Sequence, residues 1–204
     1  MINKIVIEGK TREEAIENAV ITYNTAKEDI IILNEEAKSA LFKGKKYILE
    51  IITKQDVIKY IKEVINNIAK YFNTEINIEV KEVENIININ LITDNNSLLI
   101  GKNGKNLESI QAYLRNLVNE NTNNNLKLNL DVSNYKKKKI DNLERQVKRI
   151  AREVKNTKVD AKLDPMNSYE RMIVHNAVSK YEELTTQSYG EEPNRYVVIK
   201  YKEN

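Results

Sequence analysis

Leu98-Leu99-Ile100-Gly101-Lys102-Asn103-Gly104-Lys105-Asn106-Leu107 decides how this chain is read. A Gly-x-x-Gly turn sits between two apolar segments, with one lysine inside the turn and another directly after it. Glycine has no Cβ, so Gly101 and Gly104 let a phosphodiester backbone come close to the main chain. A helix starting at about Lys105 offers N–H groups and a positive dipole end to a phosphate. Lys102 adds a formal charge and Asn103 a hydrogen-bonding group. Glycine-rich turns between helices are common, so the flanks have to decide what this one does.

Upstream, Val57, Tyr60, Ile61, Val64, Ile68 and Phe72 recur at helical spacing over Asp56 to Phe72. Thr53 and Asp56 have the spacing of a capping box, with aspartate in place of the usual glutamate. Ile76-Asn-Ile78-Glu-Val80 alternates as a strand should. Ile87-Asn-Ile89-Asn-Leu91 does the same after a break at Glu84-Asn85, so the two read as a hairpin. Beyond the glycines, Leu107, Ile110, Leu114, Leu117 and Val118 mark a second amphipathic helix. Asn119 to Asn125 reads as a loop, and Leu126 to Val132 as a third alternating strand. The order α-β-β-α-α-β, with the glycines between the last two helices, resembles a type II KH domain over residues 55–132. The resemblance implies a clamp for single-stranded RNA. Gly101, Lys102, Asn103, Gly104 and Lys105 would hold its backbone, and Ile100 would belong to the floor beneath the bases.

Tyr135 to Asn156 reads as one long helix with the apolar stripe Ile140, Leu143, Val147, Ile150 and Val154. Its other faces are basic, from Lys136–Lys139 to Arg152 and Lys155, and the i, i+4 pairs Asp141/Arg145 and Glu144/Lys148 offset part of that charge. Lys158 to Leu163 alternates like a short strand. Asp164-Pro165 then has the form of a helix start, an aspartate cap with proline at the first helical position. On the helix that follows, Tyr169, Ile173 and Ala177 share the face expected to be buried. Arg171 and His175, one turn apart, are expected together on the solvated side, where both tips reach one phosphate. The Arg-x-x-x-His spacing resembles the R-three-H (RxxxH) domain, and Ser188 to Ile199 resembles that domain's closing hairpin. By that resemblance Arg195 stands at the start of the last strand and joins Arg171 and His175 as a phosphate-binding residue.

At the N-terminus, Lys4 to Glu8 reads as a strand. Thr11 and Glu14 form a capping box for a helix bearing Ala15, Ile16, Ala19, Val20 and Tyr23, and Asp29 to Leu33 and Tyr47 to Ile52 read as strands. With this β-α-β-β segment the chain is identified as a member of the bacterial Jag family, the proteins associated with the SpoIIIJ membrane insertase and also called KhpB or EloR. The fold class expected is α+β in three small domains: an N-terminal domain over 1–52, type II KH over 55–132, and R-three-H, helices with a short mixed sheet, over 134–204. Two departures from the family pattern stand out. The glycine-rich turn usual in the N-terminal domain is replaced by Lys38 to Lys46, with only Gly44 remaining, so the contact made through that turn is not carried over. The long charged linker before the KH domain is also missing, with only Thr53 to Gln55 after Ile52.

Composition narrows the function classes. With 41% hydrophobic residues the chain supports small cores, and its net charge of +3 is too low for a nucleic-acid coat. No cysteine excludes disulfides and thiolate metal sites, and a single histidine excludes a multi-histidine metal site. No apolar run approaches the roughly 20 residues of a membrane span, and no signal peptide is recognisable. Neither a nucleophile elbow nor phosphate-loop spacing occurs, so neither enzymatic activity nor a cofactor is expected. The resemblance implies a cytoplasmic, post-transcriptional regulator linked to cell elongation and division. It would bind single-stranded RNA, with single-stranded DNA left open, and partner a small single-domain KH protein; homodimerisation is open. The competing classes are a protein–protein adaptor near the membrane insertase and a ribosome-associated maturation factor.

Overall fold

The computed structural model describes residues 2–40, 44–83, 86–123 and 126–202. It divides the chain into two compact units, Met1–Ser133 and Asn134–Asn204. Among the described residues the architecture is α+β, with three three-stranded sheets.

The first unit opens with β1 (Ile5–Gly9), α1 (Arg12–Tyr23), β2 (Ile30–Ala40) and β3 (Gly44–Thr53). The sheet is antiparallel in the order β1-β3-β2, and α1 packs Ala15, Ile16 and Ala19 against Leu49 and Ile51. Thr11 caps α1 by accepting from the Glu14 N–H at 3.1 Å. The Glu14 carboxylate bonds the Lys10 N–H at 2.7 Å instead of that of Thr11, so the expected capping box is shifted by one residue. Lys38 to Ala40 end β2 and Gly44 to Lys46 begin β3, while residues 41–43 of the altered family turn lie outside the described residues.

Thr53 is at once the last residue of β3 and the N-cap of α2 (Lys54–Tyr71). Its side chain accepts from the Asp56 N–H while Asp56 Oδ2 accepts from the Thr53 N–H, the reciprocal box expected from the sequence. The adjacent Lys54 is buried, its ammonium 2.6 Å from Glu82 and 3.3 Å from Asp29. It thereby ties the N-terminal sheet to the next one.

That next sheet has the order β4-β5-β6. β4 (Asn77–Val83) and β5 (Ile86–Ile92) are antiparallel; the break predicted at residues 84–85 lies outside the described residues. β6 (Lys127–Val132) is parallel to β5. A parallel pair requires a crossover, and it is made by α3 (Asn96–Ile100), a 3-10 turn over Lys102–Gly104 and α4 (Lys105–Thr122). Ile87, Ile89 and Leu91 face inward beside Leu128, Leu130 and Val132, a register that leaves the intervening residues outside the core. α4 runs to Thr122 and ends on Asn123 in the left-handed conformation, so much of the predicted asparagine-rich loop is helix; residues 124–125 are outside the described residues. On the outer edge of β6, Arg115 Nε donates to the Leu128 carbonyl at 3.0 Å, and the Leu130 N–H donates to Gln111 Oε1 at 3.0 Å. Two side chains of α4 thus occupy main-chain groups that an edge strand would otherwise offer to another chain.

The second unit contains α5 (Tyr135–Thr157), β7 (Ala161–Lys162), α6 (Ser168–Val178), β8 (Leu184–Tyr189) and β9 (Tyr196–Tyr201), with sheet order β7-β9-β8. Val147, Ala151 and Val154 of α5 join Val174, Ala177, Leu184, Val197 and Ile199 in one core. The strand expected from Lys158 contracts to two residues. The helix expected at Asp164-Pro165 begins instead at Ser168, capped by Asn167 in a reciprocal box with Glu170. The reason is tertiary: the Leu163 N–H donates to the Val197 carbonyl at 2.9 Å and the Met166 N–H to the Arg195 carbonyl at 3.0 Å, holding the segment extended beside the start of β9. Of the two predicted pairs on α5, Glu144–Lys148 is present at 3.8 Å. Arg145 bonds the Asp141 main-chain carbonyl and the Asn142 side chain instead of the Asp141 carboxylate.

Candidate nucleic-acid interface

Two sites follow from the elements above, one in each unit. In the first, α3 ends where the Gly101 N–H donates to the Ser97 carbonyl at 2.8 Å, and Gly101 then takes φ 69°, ψ −176°. This conformation is essentially restricted to glycine. The space is equally restrictive, because a Cβ on Gly101 would lie 2.5 Å from Asn106 Cγ. Asn106 is fixed there by donating from Nδ2 to the Leu98 carbonyl at 2.9 Å, so a side chain of α4 staples the turn to the end of α3. Asn103 (φ 57°) and Gly104 (φ 91°) are both left-handed, which brings the chain round into α4 within three residues. Lys102, Asn103 and Lys105 are exposed, Gly104 is buried, and Ile100 is half-buried beside the fully buried Leu99. The N-cap of α4 is Gly104, which has no side chain to satisfy the first N–H groups. An exposed convex turn with two cations, a helix N-terminus and an aliphatic shoulder can accept a phosphodiester and let the adjoining bases rest on Ile100.

The second site differs from its expected form. Arg171 is buried, and Tyr169, expected inside, is 60% exposed. α6 is enclosed on two sides, with Ile173, Val174 and Ala177 in the core and the Arg171/His175 side turned toward the hairpin. Arg171 Nη1 donates to the Met166 carbonyl at 2.8 Å and to Glu192 Oε1 at 2.7 Å. His175 Nδ1 is 2.6 Å from Thr186 Oγ1, and Nε2 is 3.2 Å from Ser188 Oγ, both on the inward face of β8. Burial first, and the Arg171 charge second, push the imidazole below the usual histidine range, so it is neutral at neutral pH. Arg195 is exposed and lies one residue before β9, its carbonyl bonded by the same Met166 that holds Arg171. Arg171 and Arg195 are therefore linked through Met166, while His175 is held separately by Thr186 and Ser188 of β8. The arginine and histidine tips are bound to protein partners instead of projecting into solvent.

The sequence carries no local mark of the roles of Met166, Thr186 and Ser188, which come from strand register and a loop contact. Glu192 had one signal: an acidic residue in the same turn as Arg195. The basic character of α5 is partly consumed within the unit, with Lys139 2.8 Å from Glu170 and Lys155 2.6 Å from Glu183.

A sheet whose parallel strands are bridged by helix, Gly-x-x-Gly and helix, followed by a unit built around an Arg-x-x-x-His helix, defines a KH plus R-three-H protein. The family model for the KhpA/KhpB KH domain matches residues 58–132, and that for the R-three-H domain matches residues 141–201. The chain is 34% identical over 208 residues to the RNA-binding protein KhpB of Clostridium symbiosum, spanning 98% of this chain and 93% of that one. It is 27% identical to the RNA-binding protein KhpB of Bacillus subtilis over 98% of this chain and the whole of the other. A third similarity, to the RNA-binding protein KhpB of Lactiplantibacillus plantarum at 33% identity, covers 54% of this chain and 34% of that longer one. The chain belongs to the KhpB family. Among the described residues, no helix is long and apolar enough to cross a membrane.

Proposed function

We propose that this protein binds single-stranded RNA, gripping the backbone with Gly101, Lys102, Asn103, Gly104 and Lys105 while bases rest on Ile100. The observation that carries the proposal is the glycine-only geometry of Gly101, stapled by Asn106 and followed by an α4 N-terminus with no side-chain cap. Arg171, His175 and Arg195 form a second contact, which requires a phosphate to compete with Glu192 for the Arg171 guanidinium. The two sites together raise affinity through effective concentration. The division into three functional modules, 1–52, 55–132 and 134–204, belongs to this reading, as do a cytoplasmic location, the absence of catalysis and post-transcriptional control linked to cell elongation and division. Pairing with a small single-domain KH protein belongs to it too. Support comes from the names of the full-length relatives, all RNA-binding proteins, and from the match to a KH model shared with KhpA.

The test is fluorescence-anisotropy titration against a single-stranded RNA pool at two salt concentrations, beside Lys102→Asp with Asn103→Asp. Binding should weaken with salt by a log–log slope of roughly 0.7 per phosphate contact, and the double variant should lose most affinity with its fold intact. A double variant that binds as wild type removes the turn as the main site. A folded wild type that binds no RNA favours an adaptor role.

A further inference from the structure

The outward face of the β7-β9-β8 sheet takes no part in the sites above. Both helices of the second unit lie on the other side, where Val197 and Ile199 are fully buried among residues of α5 and α6. Strand alternation therefore turns Lys162, Tyr189, Tyr196 and Lys200 outward, on three adjacent strands. Tyr189 and Tyr196 are directly paired across β8 and β9, with ring centroids 6.1 Å apart and planes 28° from parallel. Lys162 Nζ lies 4.2 Å from the Tyr196 ring centroid, and Lys200 Nζ lies 5.1 Å from that of Tyr189. Lys200 also contacts the Tyr189 hydroxyl, which donates to Gln187 at 2.6 Å. Two near-parallel rings on one sheet face, each with an ammonium group above it, match the chemistry of single-stranded nucleic acid. The bases supply flat π faces, and the phosphates between them carry the charge that attracts the lysines.

We infer that the Tyr189/Tyr196 pair on the outward face of this sheet is a stacking platform for unpaired RNA bases, with Lys162 and Lys200 binding the intervening phosphates. The inference rests on the proposed RNA-binding function and adds to it a site that reads bases where the Arg171/His175/Arg195 group reads phosphate. On binding, each ammonium moves off its ring to a phosphate and a base takes its place over the ring. Stacking is sequence-tolerant because every base has a π face. The platform therefore extends the footprint without demanding a motif.

The chain contains no tryptophan, so Tyr196→Trp in the full-length protein installs a sole indole as reporter. The probe is a short single-stranded RNA of mixed sequence, with an abasic version of the same backbone as comparison. Expected results are quenching of the indole in step with anisotropy, no quenching by the abasic strand, and a loss of roughly tenfold in affinity for Tyr189→Leu with Tyr196→Leu. Tyr189→Phe with Tyr196→Phe keeps the rings and should bind like wild type, showing that the loss comes from stacking and not from a damaged fold. If RNA binds but the indole is unmoved and the leucine variant binds normally, the platform is refuted while the Gly-x-x-Gly clamp stands. If wild type binds no RNA at all, the underlying reading fails and the platform falls with it.

Discussion

Gly101→Ala tests the clamp most severely, because backbone and space both oppose it. At φ 69°, ψ −176° an L residue is strained by about 1–3 kcal/mol. The new methyl would stand 2.5 Å from Asn106 Cγ and 2.7 Å from its Oδ1, so Asn106 must swing away. It then gives up its 2.9 Å bond to the Leu98 carbonyl, costing about 1 kcal/mol more. The total is about 2–4 kcal/mol. For a chain of this size, at about 3 °C per kcal/mol, Tm should fall by about 6–12 °C. Gly101→Ala with Asn106→Ala removes the two shortest contacts but leaves the Cβ of residue 106 at 2.9 Å and keeps the strained dihedral, so it should recover only a small part of the loss. Circular-dichroism melts of the three proteins, each paired with an RNA titration, measure this. If Gly101→Ala melts with wild type and binds RNA equally well, neither the dihedral nor the staple matters, and the account of the turn is wrong.

Glu192→Gln takes the anionic competitor from Arg171, so RNA affinity should rise a few-fold with a steeper salt dependence; an unchanged titration would show that the pair does not gate the arginine. Because the folded pKa of His175 is depressed, the unfolded chain takes up its proton first. Stability is thus fully present above about pH 6.5 and lost as pH falls through that value toward the lower folded pKa. Urea titrations of wild type and His175→Gln between pH 8 and 5 should show that part of the acid loss disappearing in the variant. Lys54→Met leaves Asp29 and Glu82 facing each other without their cation, and should destabilise the first unit by about 1–3 kcal/mol. The hydrogen bond to Glu82 is the main cause holding the Lys54 pKa above its ordinary value, so in wild type this contribution persists at neutral pH and is lost only in strong alkali.

What could be read from the sequence was local. Thr53 and Asp56 form their capping box, and the alternation of Ile87 to Leu91 and Leu126 to Val132 gives the right inward residues, because each signal is completed within a few positions. The start of α6 was misread since Asp164-Pro165 and Asn167 both satisfy capping rules; only the extended pairing of Leu163 and Met166 with β9 decides between them. Arg171 was misplaced because periodicity assumes one buried face per helix, while α6 is covered by the core on one side and engages the β8–β9 hairpin on the other. The Tyr189/Tyr196 platform could not be seen at all, since it exists only in the register of β8 against β9 and β7.

Thr53 belongs to β3 and to the cap of α2 at once, with Lys54 clasped by Asp29 and Glu82 directly behind it. This junction has no slack. A truncation beginning at residue 54 would strip the first helix of its cap and half-orphan a buried ammonium. Loss of RNA binding in such a fragment would report a frayed α2 rather than a role for the N-terminal sheet in recognition. Genetic dissection of this half of the protein is better done with point changes on the exposed strand faces than with scissors.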